Sequence, residues 1–223
     1  MIKDKRRHGG DALLLTRNIT RGAATPLSNR RRVQDFLTDN LIGLGLDHAT
    51  RVAPALAPVA QRINRLSGRG RPWITDAHAA YGRIRWAKQV ESEYAIPVED
   101  APKALMQLDA LIRKQAFKVA LPITVRFAPA EQAWLSPAYQ REVALIGIRA
   151  PDQASHQEYF SALWSVLDRF SARPHWGKLH DKTADQLRLL YPRFDDFVAL
   201  RSRVDPRGML MNRYLDRLLG VAS

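Results

Sequence analysis

The sequence predicts an α+β fold: an antiparallel sheet with helices on one face, followed by a helical C-terminal segment. Two observations predict it. Between residues 83 and 170 the apolar pattern switches between alternation and helical spacing, in the order strand, helix, strand, strand, helix. Beyond residue 180 the apolar spacing is helical throughout.

The first 82 residues read as a basic, mainly helical section. Ala12 to Leu15 is a short apolar run, expected as a strand whose partners lie elsewhere in the chain. Val33, Phe36, Leu37, Leu41 and Leu44 fall on one helical face between Asn29 and Asp47, and Gly43 and Gly45 are expected to end or loosen that helix. Pro54 and Pro58 break the chain, and Val59, Ile63 and Leu66 mark one more short helix before Ser67-Gly68-Arg69-Gly70.

Residues 83–172 carry the sheet. Strands are expected over Arg83–Tyr94, Val119–Ala128 and Glu142–Arg149. A helix over 99–115 takes Pro102 in its first turn, where a missing N–H costs little. Its apolar face is Ala101, Leu105, Leu108 and Ile112, widened by Leu111. A second helix over 155–170 has Tyr159, Phe160, Leu163, Trp164, Leu167 and Phe170 as its core stripe. In the third section, 173–223, helices are expected at Thr183–Leu190, Phe194–Val204 and Met211–Leu219, with Gly220 as the final stop.

Composition excludes several functions. The chain has no cysteine, so disulfides, thiolate catalysis and cysteine metal sites are absent. That fits a reducing compartment, and a cytoplasmic location with at most weak membrane association is expected. No apolar run approaches the roughly 18 residues of a membrane span. Of the net charge of +13, +9 falls in residues 1–71. Such a basic third suits an acidic partner surface, an anionic lipid or nucleic acid. However, the arginines are scattered apart from Arg30-Arg31-Arg32 and no aromatic residues interleave them, so nucleic-acid binding is not expected. No glycine-rich phosphate loop is present. His175 and His180 are the one histidine pair near ligand spacing, without a carboxylate-rich setting, and no metal site is expected. Ser136 and Ser165 lack a nucleophile-elbow context.

Two cations draw attention. Lys178 follows an indole and a glycine, and reads either as a surface lysine or as an ammonium projecting into a partly closed pocket. Arg126 lies mid-strand between Val125 and Phe127, and reads either as a solvated edge arginine or as a buried, paired one.

The run Arg173-Pro174-His175-Trp176-Gly177-Lys178-Leu179-His180 is followed by Tyr191-Pro192-Arg193-Phe194, Asp205-Pro206-Arg207-Gly208 and Asn212-Arg213-Tyr214-Leu215. This succession resembles the C-terminal signature of the aldonolactone oxidases. They are FAD-linked oxidases of the vanillyl-alcohol-oxidase type that include D-arabinono-1,4-lactone, L-gulonolactone and alditol oxidases. Glu91-Ser92-Glu93-Tyr94-Ala95-Ile96-Pro97 is similar to that family's Glu-x-Glu-Tyr-x-x-Pro strand. Pro122 to Arg126 with Trp134-Leu135-Ser136-Pro137 is similar to its Pro-x-Glu-x-Arg strand and following loop.

The resemblance implies the substrate-covering cap and final segment of a flavoprotein, without the N-terminal FAD-binding domain, which would be missing or separately encoded. It implies oxidation of a sugar lactone or polyol at an alcohol carbon, with FAD as cofactor of the intact enzyme and not held by this chain alone. Arg126 and Lys178 would be catalytic. Thr124, Arg149, His175 and Trp176 would bind substrate, and Lys178 and His175 would face the cofactor. Two positions depart from the family: Thr124 stands where its strand has a glutamate, and Arg149 where a later strand has a histidine. The pocket is therefore expected to take no carboxylate from position 124, and the two departures imply an altered substrate or lost activity. The alternative is a non-catalytic cap remnant that serves as an interaction domain for a separate flavin domain.

Overall fold

The computed structural model describes residues 2–4, 12–14, 33, 36–37, 40–41, 43–67, 86, 88–119, 121–151 and 156–220. They fall into two units, one of residues 1–88 with 118–121 and one of residues 89–117 with 122–223.

In the first unit, β1 (Ile2–Asp4) pairs antiparallel with β2 (Ala12–Leu14), so the partner of the Ala12 run is close in sequence rather than distant. Helix α1 (Gly43–Val52) starts at one of the two glycines expected to stop it and runs through the other. A methyl group at either position would meet nothing within 4 Å, so no close packing requires glycine there. Each glycine costs roughly 1 kcal/mol of helix propensity, which weakens a helix without forbidding it. A 3₁₀ turn at Pro54–Leu56 leads to α2 (Ala57–Ser67), where Pro58 sits harmlessly in the first turn. Ala57 and Ala60 are buried, whereas Val33, Phe36, Leu37, Leu41, Leu44 and Val59 of the expected apolar faces are exposed in this chain. Nine of the 19 residues of the helix expected over 29–47 lie outside the described residues.

The second unit holds a four-stranded antiparallel sheet in the order β4-β5-β3-β6, from β3 (Gln89–Pro97), β4 (Thr124–Ala128), β5 (Val143–Pro151) and β6 (Arg173–Pro174). The first strand is shifted from the expected span: Trp86 and Lys88 precede it, and it continues through Pro97. The second is shorter than expected, beginning at Thr124 after Pro122, which has no N–H to give a ladder.

Register divides the sheet into two faces, because directly opposed residues point the same way. Ser92, Tyr94 and Ile96 lie opposite Ile148, Ile146 and Ala144, and all six are buried. Helix α3 (Ala101–Lys114) packs against α4 (Gln157–Leu167), and α4 packs on β3 from this face. Trp164 fixes α4 there: its indole N–H donates to Ser92 Oγ at 2.8 Å, and its ring lies 6.5 Å from that of Tyr94. The stripe read for this helix is buried, including Phe170 in the 3₁₀ turn that prolongs it. On α3 the buried residues are Ala101, Ala104 and Leu108, and the longer Leu105, Leu111 and Ile112 are half-buried.

The C-terminal helices α5 (Ala184–Leu190), α6 (Phe194–Val204) and α7 (Arg213–Leu219) gather around Leu187, Tyr191, Phe194, Leu218 and Leu219. A capping box between Thr183 and Gln186 starts α5, and Asn212 caps α7. Gly220 closes α7 in the left-handed conformation, φ 66°. Asp205 ties the turn between α6 and α7 by accepting from the amides of Met209 and Leu210. Among the described residues no helix is long and apolar enough to cross a membrane.

Candidate functional site

The sheet face away from α4 carries the charge. On β3, Glu91 and Glu93 alternate with the buried Ser92 and Tyr94, so both point to this face. Glu91 lies opposite Arg149, Glu93 opposite Gly147, and Gly147 in turn opposite Thr124 of β4. Arg126, two residues along, shares the face of Thr124. Gly147 therefore leaves a notch in the middle of a row. A methyl group there would stand 2.6 Å from Thr124 Oγ1 and 3.3 Å from Glu93 Oε2, and the glycine is what lets those two side chains approach across β5. The Thr124 hydroxyl donates weakly to the Gly147 carbonyl at 3.4 Å.

Lys178 reaches the same face on a turn stitched to the other edge of β3. The His175 amide donates to Glu93 O at 2.8 Å, and the Leu179 amide to Glu91 O at 2.9 Å. Between them the Lys178 amide closes the turn on His175 O at 3.1 Å, and His175 Nδ1 accepts from the Gly177 amide at 3.0 Å. The Trp176 indole is drawn the other way, into the helical cluster. Its N–H donates to Leu135 O at 2.9 Å and its ring lies 5.4 Å from that of Tyr191. Gly177 is not in the left-handed region, and the nearest atom to a methyl group there would be on the His175 ring, at 3.5 Å.

Pinned in this way, Lys178 lays its ammonium 3.0 Å from Glu91 Oε2 and 3.3 Å from Glu93 Oε2. Arg126 Nη2 donates to that same Glu93 oxygen. The Glu93 side chain is 2% exposed, against 22% for Lys178 and 59% for Arg126. Arg126 and Lys178, separated by 52 residues in sequence, thus meet on one buried carboxylate oxygen. Burial raises the Glu91 carboxyl, but the hydrogen bond and charge of Lys178, with the charges of Arg149 and Arg126, outweigh it and hold the group below its usual range.

The site does not lack carboxylate. Position 124 supplies none, but Glu91 and Glu93 of β3 do. Sequence reasoning placed Glu-x-Glu on a strand and gave it no role. Its period of two, which sets both acids on one face, was the available signal.

The remaining candidates separate. His175 is exposed and spends its ring nitrogen on the turn, while Arg149 is half-buried beside Glu91. An open cleft of about 520 Å³ lies between Gln89 and Glu91 on one side and Trp176, Lys178, Leu179 and Tyr214 on the other. Thr124, Arg126 and Arg149 do not line it.

The sequence match agrees with this assembly of motifs. The family described as D-arabinono-1,4-lactone oxidase matches over residues 8–218. The chain belongs to this family. L-Gulono-1,4-lactone dehydrogenase of Mycobacterium tuberculosis is 34% identical over 190 residues, which are 84% of this chain and 44% of the relative. L-Gulonolactone oxidase of Mus musculus is 32% identical over 136 residues, 59% of this chain and 31% of the relative. Alditol oxidase of a Streptomyces species is 36% identical over 132 residues, 59% and 32%. This member of the aldonolactone oxidase family therefore spans less than half the length of these relatives.

Proposed function

We propose that this chain is the substrate-domain portion of an FAD-dependent oxidoreductase that oxidises a sugar lactone or polyol at an alcohol carbon. The observation that carries the reading is the meeting of Lys178 and Arg126 on Glu93, beside an open cleft. When an alcohol carbon is oxidised, its oxygen gains negative charge as the hydroxyl proton leaves. A fixed ammonium and guanidinium stabilise that charge without reorganising at the moment of reaction. Glu93 holds both cations in place. Arg126 gives it one nitrogen, and its other guanidinium N–H groups have no partner among the described residues, so they are available to substrate oxygen. The Thr124 hydroxyl offers a neutral hydrogen bond where the family has a carboxylate. Trp176 lines the cleft, and Arg149 adds positive charge beside Glu91.

The hydride acceptor would be supplied by FAD when bound; that chemistry belongs to the cofactor. The residues here fit only the reacting end of such a site. Lys178 and His175 stand at its open side, and no glycine-rich turn in the sequence suits the pyrophosphate. The dinucleotide would be held by an FAD-binding domain outside these residues, with the basic N-terminal third as a contact for it. A second reading, a cap without catalysis, draws on Thr124 and on an ammonium already neutralised by Glu91 and Glu93.

Reconstitution decides between them. The purified chain is mixed with the flavin-binding part of a relative, and oxidation of L-gulono-1,4-lactone and of alditols is followed with a dye acceptor. Turnover that falls about 100-fold or more in Lys178→Met supports the enzyme reading. A stable, flavin-loaded complex without turnover, or turnover indifferent to Lys178→Met, overturns it.

A further inference from the structure

His180 and Tyr214 belong to the motifs of the C-terminal segment but take no part in the charge network. His180 is buried, and both of its ring nitrogens are engaged. The Lys182 amide points at Nδ1 from 3.2 Å, so Nδ1 is an acceptor and the ring proton sits on Nε2. Nε2 lies 3.1 Å from the Tyr214 hydroxyl, whose own proton goes to the Trp176 carbonyl. A hydroxyl has one proton to give, so the direction of every bond is fixed. His180 donates to Tyr214, and Tyr214 donates to the Trp176 carbonyl.

That carbonyl belongs to the peptide that leads into Gly177 and Lys178. The turn is tied to β3 at its two ends, through the His175 and Leu179 amides. Between those ties, the Trp176 carbonyl is held by Tyr214, reaching in from α7. Burial, with the nearby charge of Arg217, pushes His180 down to about 4, and the ring stays in the neutral form that this chain of bonds needs.

We infer that His180 and Tyr214 are positioning residues: through the Trp176 carbonyl they fix the turn that presents Lys178 to Glu91 and Glu93. The inference rests on reading Lys178 as the ammonium of the site. The test reads the turn itself, so its failure is distinct from failure of the proposed activity.

The chain is labelled at lysine ¹³Cε, with the Lys178 resonance assigned by loss in Lys178→Arg, and amide exchange is followed in parallel. Tyr214→Phe deletes one oxygen from a partly exposed side chain and leaves the ring. It is expected to speed exchange of the Lys178 and Leu179 amides about tenfold and to shift the Lys178 resonance, while amides between β3 and β5 stay as they were. His180→Leu is expected to do the same. His180→Gln keeps a side-chain N–H near the place of Nε2–H and should restore most of the protection. Under a role confined to packing, leucine would serve and glutamine would not. Unchanged Lys178 and Leu179 signals in Tyr214→Phe, or rescue by leucine and not by glutamine, would overturn the inference.

Discussion

Replacing Glu93 by glutamine removes one negative charge from beneath two cations and barely changes the volume of a side chain that is 2% exposed. At 3.3 Å, and at an effective dielectric of about 20, the attraction between Lys178 and Glu93 is roughly 5 kcal/mol before solvation is counted. Most of that is recovered elsewhere in the variant. Lys178 keeps Glu91 at 3.0 Å, and Arg126, 59% exposed, turns to water. What remains is repulsion between the two cations, and a buried amide that satisfies one of them at best. The expected net loss is about 1–3 kcal/mol. For a chain of this length that lowers the melting temperature by roughly 2–10 °C.

Glu91→Gln is the built-in comparison. Its carboxylate is 39% exposed, and the expected loss is at most about 0.5 kcal/mol, fading at high salt. Thermal and urea unfolding of the two variants, at low and high salt, measure the difference. If Glu93→Gln is no more destabilising than Glu91→Gln, the buried carboxylate is not what holds the cations.

Two further outcomes follow from the same face and the adjoining segment. Gly147→Ala should cost about 1–3 kcal/mol, because its methyl group would meet Thr124 Oγ1 at 2.6 Å. Adding Thr124→Ala, which deletes that oxygen, should recover part of the loss, and simple additivity in a double-mutant cycle would refute the clash. Acidification should also destabilise the chain through His180, whose pKa falls from 6.5 to about 4 on folding. Between those pH values the unfolded state takes up a proton that the folded state refuses. Stability is then fully present above pH 6.5 and falls by about 3 kcal/mol as the pH drops to 4. Stability against pH for His180→Gln should be flatter in that window, and parallel curves would count against it.

Much of the second unit is legible in the sequence, because long periodic segments specify their own faces. The Tyr159 to Phe170 stripe and the α6 boundaries read directly, and Gly220 ends α7 in the conformation that glycine favours. The glycines of α1 misled, since propensity is a weak local term that a helix can absorb twice over. The site was legible only in halves. Arg126 and Lys178 stand out as cations within motifs, but two glutamates on a strand look like an ordinary solvated face. Only the register of β3 with β5, and the return of residues 175–179 along its edge, show that the acidic row is covered. His180 invited comparison with a metal ligand. Its partners, Lys182 and Tyr214, are set by the turn that follows it and by a helix 34 residues away, which no local spacing reveals.

The stitching of that segment has a consequence for solubility. β6 contributes only two residues to the sheet, and the His175 and Leu179 amides extend the cover over carbonyls that β3 would otherwise present bare. An unpaired strand edge is a template for another chain. The turn that delivers Lys178 is thus also the guard on that edge. Substitutions that loosen it should cause self-association and displace the ammonium together. Faster exchange of the Lys178 amide and appearance of aggregate would then report one event, and a variant that fails in both respects should be rescued in both by restoring the same backbone contacts.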